Sequence, residues 1–303
     1  MSETSPVKLT RFAWLSISAA VLTIALKMGA FLLTNSVSLL SDALESLVNL
    51  VTAIVALIAL TIAARPADEE FAFGYSKVEF FSSGFEGGMI LIAAGSIVAS
   101  AIPRLIHPQP IEQVWLGLIV SVTASLINLG VSRVLASAGK RYGSITLQAD
   151  SKHLMTDVIT TGGVLVGVAL VSITGWQRLD PLIAMLVAAN ILFTGLRMLR
   201  QAGLGLMDAS LPAADVQTIR DVLQPFVEQG VVFHALRTRS AAARGFVSMH
   251  LLVPGKWSVK RAHHLAEEVE SQLRQRIPKL AVFTHVEPLE DPSAWEDTNL
   301  DRE

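Results

Sequence analysis

Apolar residues gather into six long runs along the first two-thirds of the chain and then stop. The runs cover about 12–33, 37–64, 80–102, 112–135, 145–173 and 179–199. A helix needs roughly 20 residues to cross the hydrocarbon core of a bilayer, so the pattern predicts six transmembrane helices. Lys27 interrupts the first run and fits if it snorkels toward one end. The third run, "FFSSGFEGGMILIAAGSIVAS", is rich in small residues that permit close helix approach.

After about Met207 the pattern changes to helix, strand, strand, helix, strand. "FVSMHLLV" alternates partly like a half-buried strand, and "SVKRAHHLAEEVESQLRQRI" repeats with helical period. Pro212 suits a helix start and Pro254–Gly255 a turn. The expected organisation is a six-helix, all-α transmembrane domain over 1–206, a small α+β domain over 207–290 and an acidic, flexible tail over 291–303.

Composition agrees with the membrane reading: 51% of the 303 residues are hydrophobic and 17% charged, against roughly 25% charged in soluble domains. A net charge of -2 argues against a nucleic-acid partner. There are no cysteines, which removes disulfides and thiolate metal ligands together. The segment before the first run is short and polar without a cleavage motif, so that run reads as a retained span. Placing both termini in the cytoplasm puts Lys8, Arg11, Arg65, Lys77, Arg133, Lys140, Arg141, Arg197 and Arg200 there, and leaves Arg104 and Arg178 opposite. No Gly-rich phosphate loop suggests nucleotide hydrolysis, and the chain is not expected to be an enzyme.

Charge is costly in hydrocarbon and marks bundle interiors, water-filled cavities or ion paths. The second run carries Asp42, Glu45 and Asn49; the fifth carries Asp150, His153 and Asp157. Glu45 and Asn49 are four apart, as are His153 and Asp157, so each pair shares one helix face. If the two faces meet, two carboxylates, an amide oxygen and an imidazole can surround a dehydrated divalent cation. A histidine nitrogen binds either a proton or a metal, which offers proton coupling; a structural hydrogen bond is the alternative for His153. Asp42 and Asp150 read as outer acceptors, packing partners or entries to the ion path. Glu79 reads as a partner of Lys77 or Arg141, and Glu86 as a proton carrier or a buried hydrogen-bond group.

The segments "NSVSLLSDALESLVNLVTA", "PADEEFAFGYSKVEFFSSGFEG", "LQADSKHLMTDVITTGG" and "HALRTR", in that order, resemble the cation diffusion facilitator family, and within it the bacterial iron/zinc exporters. The resemblance spans about 12–290. It implies a homodimer of six-span subunits in the bacterial inner membrane, each with a metallochaperone-like cytoplasmic domain, exchanging divalent metal for protons by alternating access.

The resemblance places the transport site at Glu45, Asn49, His153 and Asp157. The second run departs from the family, which has an aspartate or histidine followed four residues later by aspartate. With Asn49 the site carries two formal negative charges rather than three, which lowers affinity and leaves room for iron(II) or manganese beside zinc. A membrane-bound metal sensor or assembly factor with an impaired transport site is the alternative. A loop site of the family keeps Asp68, but Phe71 and Tyr75 stand at its histidine positions, so that site is expected to be absent. In the tail domain, His234, His250, His263, His285 and Glu287 match metal-binding positions, with Glu287 in place of an aspartate. No catalytic cofactor is implied; zinc or iron(II) enters as substrate and as a ligand of the tail domain.

Overall fold

The structure is a computed structural model that describes residues 9–34, 37–107 and 115–296. The chain divides into two compact units, Met1–Gly203 and Leu204–Glu303.

The first unit is helical. Its elements are α1 (Thr10–Thr34), α2 (Val37–Ala63), α3 (Val78–Ile106), α4 (Trp115–Tyr142), α5 (Ile145–Thr174) and α6 (Leu179–Leu206). In lipid every backbone N–H and C=O must be bonded within the protein, and a continuous helix does this within one segment. Among the described residues, five of these helices (all but α2) are long and apolar enough to span a membrane; in α2 the apolar stretch is Asn49–Ala63. Large apolar side chains such as Trp14, Ile92, Leu126, Leu186 and Phe193 point outward, as they must where lipid is the solvent.

Helices α4 and α5 are joined by Gly143–Ser144 and locked along a polar seam. Ser132 donates to the Ser151 carbonyl at 2.8 Å, and Ser151 donates back to the Ser132 carbonyl at 2.9 Å. Further along the seam, Gln148 Nε2 donates to the Gly139 carbonyl at 3.3 Å, and a Cβ on Gly139 would meet the Gln148 side chain at 2.7 Å. The small residues of α3 serve a second close contact: a Cβ on Gly87 would lie 3.3 Å from the Gly195 carbonyl oxygen of α6. That is the use expected of "FEGG" in an apolar run.

Glu79, in the first turn of α3, is buried and lies on the N-terminus of α5. It accepts from Ser144 Oγ at 2.5 Å and from the Thr146 N–H at 3.2 Å, while Ser144 Oγ accepts from the Leu147 N–H. The orphan N–H groups and positive end of α5 are natural partners for a carboxylate.

The second unit contains α7 (Ala213–Glu228), β1 (Val232–Ala241), β2 (Arg244–Val253), α8 (Val259–Arg276), β3 (Leu280–Pro288) and α9 (Pro292–Glu296). The sheet order is β1-β2-β3, antiparallel between β1 and β2 and parallel between β2 and β3. A parallel neighbour needs a crossover, which α8 supplies; Ser258 caps it by accepting from the Arg261 N–H at 3.3 Å. Val247, Met249, Leu251 and Val253 face a core formed with Ile219, Phe226, Val269 and Leu273 from the two helices. His234 lies within β1. The first part of the segment expected to be a flexible tail is helical: Asp291 accepts from the Ser293 N–H and hydroxyl, which hold its carboxyl below the usual range, and Ala294 is buried. Residues 297–303 lie outside the described residues.

Candidate metal sites

Among the described residues, two clusters of ligand-type side chains emerge, one in each unit. In the helical unit, α2 and α5 bring Asn49, His153 and Asp157 together. Asn49 Nδ2 donates to Asp157 Oδ2, and His153 Nε2 lies 2.8 Å from Asn49 Oδ1. A carbonyl oxygen only accepts, so Nε2 carries the ring hydrogen and Nδ1 keeps the lone pair. Nδ1 is buried and makes no hydrogen bond. An unsatisfied buried nitrogen is costly. The backbone of Glu45 lies in α2, but the side chains of Glu45 and Asp42 lie outside the described residues.

Asn49, His153 and Asp157 line a cavity of about 550 Å³. Its walls come from α2, α3, α5 and α6, with Ser96, Ser100, Thr156 and Thr160 supplying hydroxyls and Arg104 a cation. Ser96 and Ser100 are four apart on α3, as are Thr156 and Thr160 on α5, so each pair presents one polar face.

Two residues near Asp157 were not assigned to the site from sequence. Asn128 of α4 is buried and donates Nδ2 to Asp157 Oδ2 at 3.2 Å. Lys27 of α1, expected to snorkel, interacts electrostatically with Asp157. The signal for both was a polar group in an apolar run, the same signal that marked Asp157. Asp150 and Glu86 are also buried: Asp150 Oδ1 accepts from Ser16 at 3.1 Å, and Glu86 Oε1 lies 3.5 Å from the Ser82 hydroxyl.

The loop between α2 and α3 is closed on itself. Asp68 accepts from the Phe71 N–H at 2.8 Å and from the Tyr75 hydroxyl at 2.5 Å, and the Phe71 and Tyr75 rings lie 4.6 Å apart. The Tyr75 hydroxyl, and after it the Phe71 N–H, hold the Asp68 carboxyl below its ordinary value of 3.8. The Asp68 hydrogen bond, with some burial, raises the Tyr75 phenol above 10.0. The Asp68 contribution to loop stability is therefore complete above 3.8 and lost as pH falls through the lowered folded value. The Tyr75 contribution is complete below 10.0 and lost as pH rises through the raised one. Tyr75→Phe is expected to move the Asp68 titration up toward 3.8, read by carboxyl carbon-13 NMR; an unmoved titration would disprove the hydroxyl's role.

In the second unit the sheet builds the cluster by its own periodicity. The odd positions of β2 enter the core, so His250 faces the other side. Register pairs His234 with His250 and His250 with His285, and Glu287 is two residues beyond His285 on the same face. All four side chains meet there. Glu287 Oε2 lies 3.1 Å from His234 Nε2 and 3.1 Å from His250 Nδ1, and Oε1 lies 3.5 Å from His285 Nε2. Candidate ligand atoms of His234, His250 and Glu287 fall within 4.8 Å of one another. The register shifts after His234, where Ala235 takes φ 50°, so a β-bulge seats His234 in the cluster. His234 Nδ1 is buried without a partner. Nitrogen and carboxylate donors in this arrangement suit a divalent transition metal. His263 is exposed on α8 beside His264 and is not in the compact group of three.

Comparison with known proteins agrees with this division. Residues 13–207 match the family described as "Cation efflux transmembrane domain", and residues 211–289 match "Cation efflux protein, cytoplasmic domain". An uncharacterized transporter of Synechocystis is 52% identical over 94% of this chain and 92% of its own length. The cation-efflux pump FieF of Salmonella typhimurium is 30% identical over 95% of each chain. Among solved structures, the metal-bound C-terminal domain of the CzcD transporter from Thermotoga maritima is 30% identical, covering 27% of this chain and 99% of its own, with a TM-score of 0.25. A putative zinc transporter, CzrB, in its zinc form is 40% identical over 26% of this chain and 90% of its own, also with a TM-score of 0.25.

The fold is a multi-span helical membrane unit with a small α+β domain, and the two family matches make it a cation-efflux transporter. The chain belongs to the cation diffusion facilitator family: it is a divalent-cation efflux protein of the bacterial inner membrane with a cytoplasmic C-terminal domain, and not an enzyme.

Proposed function

We propose that this chain exports divalent transition-metal ions from the cytoplasm in exchange for protons, with zinc or iron(II) as principal substrate and manganese or cadmium as further ions. It works as a homodimer of six-span subunits by alternating access, with 1–206 as the transport domain, 207–290 as the cytoplasmic domain and 291–303 as the tail. The transport ligands are Glu45, Asn49, His153 and Asp157. The cytoplasmic ligands are His234, His250, His263, His285 and Glu287.

The observation that carries this reading is the cavity lined by Asn49, His153 and Asp157. The residues lining that cavity include a carboxylate and an imidazole, the donor types that suit a transition metal. Proton exchange rests on competition: a histidine nitrogen holds either a proton or a metal, so a proton entering the site displaces the ion. Asn49 supports a second reading, a metal sensor or assembly factor, because its amide already bridges His153 and Asp157.

Uptake of zinc, iron(II), manganese and cadmium into proteoliposomes, with internal pH recorded, separates the two. Export predicts metal flux with opposing proton movement. Asn49→Asp, which restores a third negative charge, is expected to lower the KM for zinc on the order of tenfold, since site affinity follows ligand charge. Absence of flux for every ion, with metal bound only by the cytoplasmic domain, would establish the sensor reading instead.

A further inference from the structure

Asp157 is held from two sides. Asn49 of α2 and Asn128 of α4 both donate an amide N–H to the same carboxylate oxygen, Oδ2. A carboxylate oxygen has two lone pairs, so these donors occupy Oδ2 and leave Oδ1 as the oxygen with which Asp157 can meet an ion. Asn49 lines the cavity, but Asn128 is not among its lining residues. Asn128 therefore reaches the carboxylate from behind, out of the ion's approach.

Its position is firmly set. Asn128 lies four residues before Ser132, on the face of α4 that carries the reciprocal Ser132–Ser151 bonds to α5. Further along, Gln148 and Gly139 continue the contact. The seam holds α4 in one register against α5, and that register delivers the amide to Asp157. An amide also adds no charge. It orients the carboxylate without raising the site's pull on every divalent ion alike.

We propose that Asn128 is a positioning residue of the transport site, which fixes the Asp157 oxygen presented to the metal and thereby sets ion affinity and preference; the inference rests on the transport reading above. The α4 helix is then part of the site's working structure through a group that does not itself touch the ion.

The test measures initial flux against metal concentration in proteoliposomes for the intact protein, Asn128→Ala, Asn128→Leu, Asn128→Gln and Asp157→Ala, with zinc and manganese as the two probes. Asn128→Leu fills the space an alanine would leave empty, so it keeps the test valid if the alanine variant folds poorly. Loss of an orienting bond to a charged group is expected to raise KM about tenfold or more in the alanine and leucine variants. Maximal rate should stay within about threefold, and the zinc-to-manganese preference should change. Asn128→Gln keeps an amide donor and is expected to recover part of the KM, a recovery that a mere packing role would not give. Unchanged KM and ion preference in the leucine variant, with flux abolished in Asp157→Ala, overturns the role of Asn128 alone. Flux that persists in Asp157→Ala overturns the transport site itself and this inference with it.

Discussion

Asp157→Ala is expected to abolish measurable metal flux while leaving the protein folded and its cytoplasmic domain able to bind metal. Loss of an outer hydrogen-bond partner commonly costs 10–100-fold in metal affinity, so loss of a ligand carboxylate should cost on the order of 100-fold or more. The substitution also removes the acceptor for both Asn49 and Asn128. Those amides would lie buried with their principal bond gone, which frees Asn49 to turn its carbonyl oxygen away from His153. The variant should therefore fail even at metal concentrations that compensate for weaker binding. Proteoliposome flux measures the loss, and calorimetric zinc titration of the same purified protein reports on the sheet-domain cluster. Flux within threefold of the intact protein would sink the assignment of this cavity as the transport site.

The second large effect is expected at Glu287. Its carboxylate is the common partner of His234, His250 and His285, and its side chain is only 10% exposed. Glu287→Ala removes two hydrogen bonds to a charged group, each worth about 1.5–3 kcal/mol when formed. His234, already without a partner at Nδ1, would lose its bond at Nε2 as well. The three imidazoles sit together on one face, and without the carboxylate nothing in the cluster offsets a bound cation's charge. Metal affinity of the cytoplasmic domain is expected to fall on the order of 100-fold, with thermal stability lowered even in metal-free protein. Metal titration and a melting curve on the intact chain test both halves. A variant that keeps wild-type affinity would show that the ion sits elsewhere on the sheet.

These two sites differ in how far they were legible in the chain. His234, His250, His285 and Glu287 are scattered over 54 positions, and only His285 and Glu287 are neighbours on one strand. Only strand pairing brings them together, and pairing is a long-range property. Once the register is known, alternation does the rest, because a residue two positions along a strand returns to the same face. His263 shows the limit: its match to family positions places it on a helix, and helix position alone does not carry it into the compact group of His234, His250 and Glu287.

In the membrane unit, the four-residue spacing of His153 and Asp157 was enough to put them on one helix face, since that geometry is local to the helix. The same holds for the apolar runs, whose length follows from bilayer thickness, and for the succession of elements in the cytoplasmic domain. Family membership was also carried by the sequence, in the four ordered segments from "NSVSLLSDALESLVNLVTA" to "HALRTR".

What required tertiary structure was the choice of partner for each polar group. Glu79 has cations near it in sequence, and nothing local to it foretells that it caps α5 through Ser144 and Thr146. Asn49 reads in the chain as one weak ligand, but packing of α2 against α5 makes it a bridge between His153 and Asp157. Asn128 reads as a lone amide in an apolar run until the α4–α5 seam places it behind Asp157. Hydropathy and helical period act over a few turns of one segment and so can be read from that segment. A hydrogen bond depends on distances of about 3 Å between atoms on different helices, and those distances are decided only when the helices pack.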